Sequence, residues 1–206
     1  MSFTQTPLHA ALAGALGQEL TPDVAAKIMQ AAVDTFILPG DGPALGGAKI
    51  PPETHAGWVI QRERFSESLE ELQPLHAQHW AETEGYRSSE VELLPMYGNY
   101  MARERRGEQV LITARNASGR LAGCLLLRLA VSEHSSSWFA IEDQLFVARW
   151  ARGAWLGARL LRHADHILAS MGVREFRAKA KHANQARRLF EREGFKAVAT
   201  ELVKFI

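Results

Sequence analysis

The sequence predicts an α/β (α+β) fold, a mixed sheet with helices on both faces, preceded by an N-terminal helical extension. Three observations lead there. After Trp58 the chain reads strand, helix, strands, helix, strand, helix, strand. Within that order, Leu156 to Met171 carries Leu156, Leu160, Ala164, Ile167 and Met171 on one stripe, the period of an amphipathic helix. Ahead of it, residues 39–57 are rich in Gly and Pro and have no periodicity, so they read as a loop between two parts. The expected division is a helical extension over 1–40, a linker over 41–57 and a main domain over 58–206.

The elements follow in order. Leu8, Leu12 and Leu16 recur every four residues with alanines between them, and Gly17 ends that helix. Thr21-Pro22-Asp23 reads as an N-cap with Pro at the first helical position, followed by Val24, Ile28, Ala31 and Thr35 on one face. Trp58 to Phe65 reads as a strand. Ser66 is placed to cap a helix bearing Leu69, Leu72, Leu75 and Trp80, and a short helix is expected around Met96 to Glu104. Val110 to Ala114 and Leu121 to Val131 are strands joined by the turn Asn116-Ala117-Ser118-Gly119, an antiparallel hairpin. Trp138 to Val147 is a further strand. After the long helix come Gly172, a strand over Val173 to Ala180, a helix over Asn184 to Arg192, and one or two strands within Phe195 to Ile206.

Composition narrows the function classes. No run of eighteen apolar residues exists to span a membrane. The first residues carry no basic stretch before their apolar segment, and the single cysteine, Cys124, has no internal partner. A cytoplasmic protein is expected. Net charge is +1 but unevenly placed. Residues 1–102 hold 5 Lys+Arg against 13 Asp+Glu, and residues 103–206 hold 19 against 10. A basic half attracts a polyanion or a phosphate-bearing cofactor. The basic residues are scattered and do not alternate with aromatics, which disfavours nucleic acid.

The segment most informative about chemistry runs from Leu145 to Leu161. An apolar strand ends at Val147, a short loop carries Arg152 and Gly153, and a long helix begins near Ala154. A helix N-terminus exposes unpaired N–H groups and partial positive charge, which suit a phosphate. Gly153 permits close backbone approach, and Arg152 adds charge. An ordinary tight turn would look the same by this criterion alone.

This segment resembles motif A of the GNAT acetyltransferase superfamily, written V-x-P-x-x-R-G-x-G-(I/V/L)-G-x-x-L-L. Val147, Arg152, Gly153, Leu156, Gly157, Leu160 and Leu161 match in register. About thirty residues on, Asn184-Gln185-Ala186-Arg187-Arg188-Leu189-Phe190-Glu191-Arg192-Glu193-Gly194-Phe195 looks like the family's second element. His79-Trp80-Ala81-Glu82 resembles the upstream helix of phage-type members. Trp155 stands where the motif has its middle glycine, and Arg149 stands for its proline.

The resemblance implies a mostly antiparallel GNAT-like sheet, acetyl-CoA as cofactor, and acetyl transfer to a primary amine on a small molecule or peptide. It implies a pantetheine arm beside Leu145, Phe146 and Val147, and a pyrophosphate on the N–H groups of Arg152, Gly153, Ala154, Trp155, Leu156, Gly157 and Ala158. Asn184, Arg187 and Phe190 would also contact the cofactor. Lys179, Lys181 and Arg188, together with Arg187, are candidates to meet its 3′-phosphate. A backbone N–H near Leu145 or Phe146 would stabilise the oxyanion. The base that takes the ammonium proton is Asp143, favoured for its position four residues before Val147, or Glu142, or water. Phe190 occupies the place of the family's usual tyrosine acid. Trp80, Tyr86, Tyr97 and His134 are candidates to shape the acceptor site.

Other residues read more plainly. His76, His79 and Glu82 share a helix face that suits a metal but fits the border of an acceptor groove better, so no metal site is expected. His163 and His166 read as solvated, and Cys124 as a small buried hydrophobe. A GNAT-shaped protein without catalysis is the competing expectation. The apolar stripe of the extension needs cover, from the main domain or from a second copy.

Overall fold

The computed structural model describes residues 7–37, 50–87, 89–153, 155–181 and 186–204. The chain divides into two compact units, Met1–Pro43 and Ala44–Ile206. The first holds helices α1 (Pro7–Ala15) and α2 (Pro22–Ile37). Gly17 has φ 78°, and the Thr21 hydroxyl accepts the Val24 N–H at 3.3 Å, the cap expected there.

The second unit contains β1 (Glu53–His55), β2 (Trp58–Glu63), α3 (Phe65–Thr83), α4 (Tyr97–Arg105), β3 (Gln109–Asn116), β4 (Leu121–Val131), β5 (Trp138–Val147), α5 (Leu156–Ser170), β6 (Glu175–Arg177) and α6 (Ala186–Arg192). The six strands lie in sequence order in one sheet. Every pairing is antiparallel except β5 with β6. No helix among the described residues is long and apolar enough to cross a membrane.

The sheet is covered on both faces. Leu156, Leu160, Leu161, Ala164 and Ile167 of α5 belong to a core with Ile60, Val110, Ile112, Leu125 and Leu127. On the other face Phe65, Leu72 and Leu75 of α3 pack with Leu111, Leu121, Cys124, Leu126 and Phe146. Central strands buried on both sides read as unbroken apolar runs, which is why Leu121 to Leu127 shows no alternation. Cys124 is buried among these groups, as expected, and burial pushes its thiol up to about 12.

Five expectations need correction. β1 forms inside the stretch read as loop. It closes on β2 through Ala56 and Gly57, both at positive φ, and three residues are too few for alternation to register. Ser66 does not cap α3. The Glu104 carboxylate accepts the Phe65 N–H and, at 3.3 Å, the Ser66 N–H, a partner 38 residues away that local patterns do not show. His163 is only 2% exposed, because it falls on the same stripe as Leu156, Leu160 and Ile167. β6 spans three residues, fewer than the eight expected. No strand follows α6 among the described residues. Val198 and Leu202 are 92% and 89% exposed, while Phe195 packs on Phe176 and Phe190. A short β6 offers little edge for a further strand, and β-propensity alone does not supply a partner.

Gly123 marks the tightest approach in the sheet. A Cβ there would lie 2.7 Å from the Phe146 carbonyl oxygen, a backbone atom with nowhere to move. Gly123→Ala is expected to cost about 1–3 kcal/mol, measured as the shift in a urea midpoint.

Candidate functional site

The site is built where β5 outruns its neighbour. β6 pairs with Phe139, Ala140 and Ile141 only, so β5 from Glu142 to Val147 has no strand on that side among the described residues. On the other side it stays paired to β4, with one irregularity. Leu127 faces Glu142 and Leu126 faces Gln144, which leaves Asp143 unpaired in a bulge. The Phe146 carbonyl points to β4 at Gly123. Leu145 and Val147, one residue to either side, therefore present their backbone groups to the open edge.

The bulge separates the two carboxylates. Glu142 turns toward the gap beside β6, where one oxygen accepts the Lys179 N–H at 3.3 Å. Burial raises its pKa to about 7, and the Asp143 charge adds to this. Hydrogen bonds from the Lys179 and Leu145 N–H groups and the Lys181 charge only partly oppose the rise. Asp143 is exposed and belongs to the other face, beside Tyr100. Burial, then the charge and hydrogen bonding of Asp143, push the Tyr100 hydroxyl up to about 12.

On that face α3 and α4 supply a cluster of rings. Tyr100 stacks on Phe65 at 5.1 Å, Tyr97 lies 5.6 Å from His76, and His79 meets Phe146 edge-on at 5.8 Å. Burial lowers both histidines, His79 to about 4, so they are neutral at pH 7.

The loop after β5 leads into an open helix N-terminus. Gly153 has φ 100° and empty space around its missing side chain. Trp155 sits at the N-cap of α5 with φ 56°, a left-handed conformation normally left to glycine, and makes no side-chain cap. The residue is 65% exposed, with the Arg192 guanidinium 5.9 Å from the centre of its ring. The first bond of the helix runs from the Arg159 N–H to the Trp155 carbonyl. The N–H groups of Leu156, Gly157 and Ala158 thus have no acceptor among the described residues, and no acidic residue occupies the first turn. Leu156 and Ala158 bury their side chains, so they can serve a ligand only through N–H. Gly157 has a packing reason as well, since a Cβ would come within 3.0 Å of Leu189 Cδ2. These features fit a pyrophosphate-bearing cofactor.

Arg152 is held in place by three contacts. It donates to the Val147 carbonyl at 2.9 Å and to Glu82 at 2.7 Å, and it lies over the Phe146 ring at 5.4 Å. Arg149 shares Glu82 at 3.0 Å. Burial would raise the Glu82 carboxyl, but these two arginines hold it below its ordinary value. The link between Glu82 and Arg152 spans 70 residues, so the sequence carries no local sign of it.

Other expected site residues fare differently. Ala154, Asn184 and the Tyr86 side chain lie outside the described residues. Arg187 pairs with Glu191 at 2.7 Å, Lys179 with Glu201 at 2.6 Å and Lys181 with Glu84 at 2.8 Å. Phe190 is buried against Phe195, a core position rather than a cofactor surface. Phe146 likewise buries its ring and turns its carbonyl to β4, so of the two oxyanion donors considered only Leu145 faces the edge, where its N–H bonds the Glu142 carboxylate. Trp80 is half-buried with Arg87 over its ring, and Tyr97 joins the aromatic cluster. His134 is misplaced for an acceptor site. It sits in the turn before Trp138, at the opposite end of β5 from Val147, about 30 Å away at ~3.3 Å per residue.

Comparison with known proteins agrees with this fold. The acetyltransferase (GNAT) family matches residues 69–195. No curated protein sequence matches the chain. Among solved structures, a probable acetyltransferase is 24% identical with a TM-score of 0.57, covering 71% of this chain and 97% of its own. The ribosomal-protein-alanine N-acetyltransferase of Brucella melitensis biovar Abortus 2308 is 15% identical, with a TM-score of 0.55 and coverage of 71% and 99%. Glucosamine-6-phosphate N-acetyltransferase from Arabidopsis thaliana is also 15% identical, with a TM-score of 0.54 and coverage of 74% and 99%. At these identities the likeness is one of fold.

Proposed function

This chain belongs to the acetyltransferase (GNAT) family, and on that premise we propose that it transfers the acetyl group of acetyl-CoA to a primary amine by direct attack in a ternary complex. The observation that carries this reading is the open edge of β5 running into the uncapped N-terminus of α5. Bound acetyl-CoA supplies an activated thioester carbonyl. The N–H groups of Leu156, Gly157 and Ala158 hold the pyrophosphate. Backbone groups of Leu145 and Val147 hold the pantetheine arm as an added strand would be held. Cofactor entry requires the Arg152 side chain to leave the Val147 carbonyl and the Glu142 carboxylate to release the Leu145 N–H, which they occupy here.

Glu142 is the base. An ammonium has no lone pair to attack with, and a carboxylate with a pKa of about 7 is poised to take its proton near neutral pH. This reverses the preference for Asp143 drawn from position alone. Asp143, exposed beside the aromatic cluster, instead balances the charge of the arriving ammonium. The acceptor is a small-molecule or peptide amine in a cytoplasmic setting, without membrane or nucleic acid as partner.

Mixing the protein with acetyl-CoA and a panel of primary amines, and following release of the free coenzyme thiol, tests the reading. At least one amine is expected to accelerate release well above the rate with water alone. Bound acetyl-CoA with no amine-dependent thiol release would contradict it and favour a GNAT fold used for binding only.

A further inference from the structure

Glu82 lies in the last turn of α3 and takes hold of the loop that follows β5. Its Oε2 accepts from Arg152 Nη2 at 2.7 Å, and its Oε1 accepts from Arg149 Nε at 3.0 Å. Arg152 is held at two further points. Its Nε donates to the Val147 carbonyl at 2.9 Å, and its guanidinium carbon lies 5.4 Å from the centre of the Phe146 ring. A guanidinium is planar and rigid, so its two hydrogen bonds are coupled. While Glu82 holds Nη2, Nε is kept on the Val147 carbonyl.

That carbonyl belongs to the open edge of β5. An arginine bonded to it fills part of the place an added strand would take. The side chains of Arg152 and Glu82 are 45% and 24% exposed, so a dissolved anion can reach the pair. One carboxylate gathering two guanidinium groups offers what a phosphate would offer them, charged oxygen acceptors at hydrogen-bond distance. Arg149 also keeps Glu82 paired after Arg152 departs, so opening leaves no unmatched carboxylate.

We propose that Glu82 is a positioning residue that acts through Arg152, holding the guanidinium across the Val147 carbonyl until a phosphate of the cofactor takes the arginine from it. This role rests on the assignment of acetyl-CoA to the same edge. Glu82 touches neither the acetyl group nor the amine. It competes with the cofactor for one arginine, and so it weakens cofactor binding by the free protein. A merely structural Glu82 would do the opposite, since its loss would loosen the loop and weaken binding.

Two measurements on the full chain test it. The first is calorimetric titration with acetyl-CoA of the wild type, Glu82→Gln, Arg152→Gln and the double variant. Glu82→Gln is expected to bind about two- to fivefold more tightly than wild type. That gain should vanish when Arg152 is already replaced. Equal or weaker binding by Glu82→Gln would overturn the proposal. So would the same gain in the Arg152→Gln background, which marks a general effect of removing one negative charge. The second is nuclear magnetic resonance of the Arg152 Nε–H with no cofactor present. Glu82→Gln is expected to move this signal toward that of a free guanidinium and to speed its exchange with water. An unchanged signal would show that Glu82 does not hold the arginine. Failure of the wild type to bind acetyl-CoA would overturn the cofactor assignment instead, and the Nε–H signal would still decide whether Glu82 positions Arg152.

Discussion

Glu142→Gln is expected to lower turnover by about 10²- to 10⁴-fold while leaving acetyl-CoA affinity unchanged. The wild-type rate at saturating acetyl-CoA should rise with pH through an inflection near 7 and then level, since the carboxylate must be ionised to accept a proton. In the variant that inflection disappears. Stability gives an independent check on the same residue. The folded carboxyl holds its proton to a higher pH than the unfolded one, whose ordinary value is 4.5. Between 4.5 and about 7 the unfolded chain binds fewer protons, so this group lowers stability as pH rises across that window, and the loss is complete above it. Glu142→Gln should therefore be more stable than wild type at pH 8, by about 1–3 kcal/mol, in urea unfolding. A merely structural Glu142 would not combine lost turnover with gained stability. Asp143→Asn, by contrast, should raise the Michaelis constant for the amine and keep the inflection.

Arg115→Ala is expected to destabilise the fold by about 2–3 kcal/mol at pH 7, and to remove most of its acid sensitivity. Arg115 on β3 donates to Glu63 on β2 and, at 2.7 and 2.8 Å, to Glu71 on α3, tying sheet to helix. Burial would raise the Glu63 carboxyl, but hydrogen bonds from Arg115, Gln61 and Ser68 outweigh it and lower the value to about 2. A depressed carboxylate contributes stability that is whole above 4.5 and is lost as pH falls through about 2. Partial solvent access reduces its size to about 1–2 kcal/mol. Wild type should lose this amount between pH 5 and pH 2, and the variant much less. A parallel loss in both would show that the guanidinium is not what lowers Glu63.

The strongly patterned elements were legible in the sequence, β4, β5 and α5 nearly to the residue, because burial of whole faces writes a period into the chain. The loop and helix of motif A were legible for a similar reason, since Gly153 and the small residues of α5 answer local backbone and packing demands. Contacts between distant segments were not. Glu104 at the start of α3, Glu82 on Arg152 and Arg115 on Glu63 join residues 38 to 70 apart, and no local spacing records them. The two carboxylates show the boundary best. Alternation separates Glu142 from Asp143, but which one is desolvated depends on where β6 stops and where the bulge falls. His134 failed for a topological reason, as a turn at one end of a strand cannot serve a site at the other.

Calorimetric titration with acetyl-CoA, on the wild type and on Gly153→Val, tests the central claim most directly. Gly153 combines φ 100° with open space, so a β-branched residue there deforms the loop without colliding with the rest of the fold. The account predicts one-to-one binding that weakens at least about tenfold, or 1.4 kcal/mol, in the variant, which still folds, with its thermal midpoint lowered by several degrees for the strained φ. Absence of binding by the wild type, or equal affinity in the variant, would contradict the assignment of the cofactor to the N-terminus of α5.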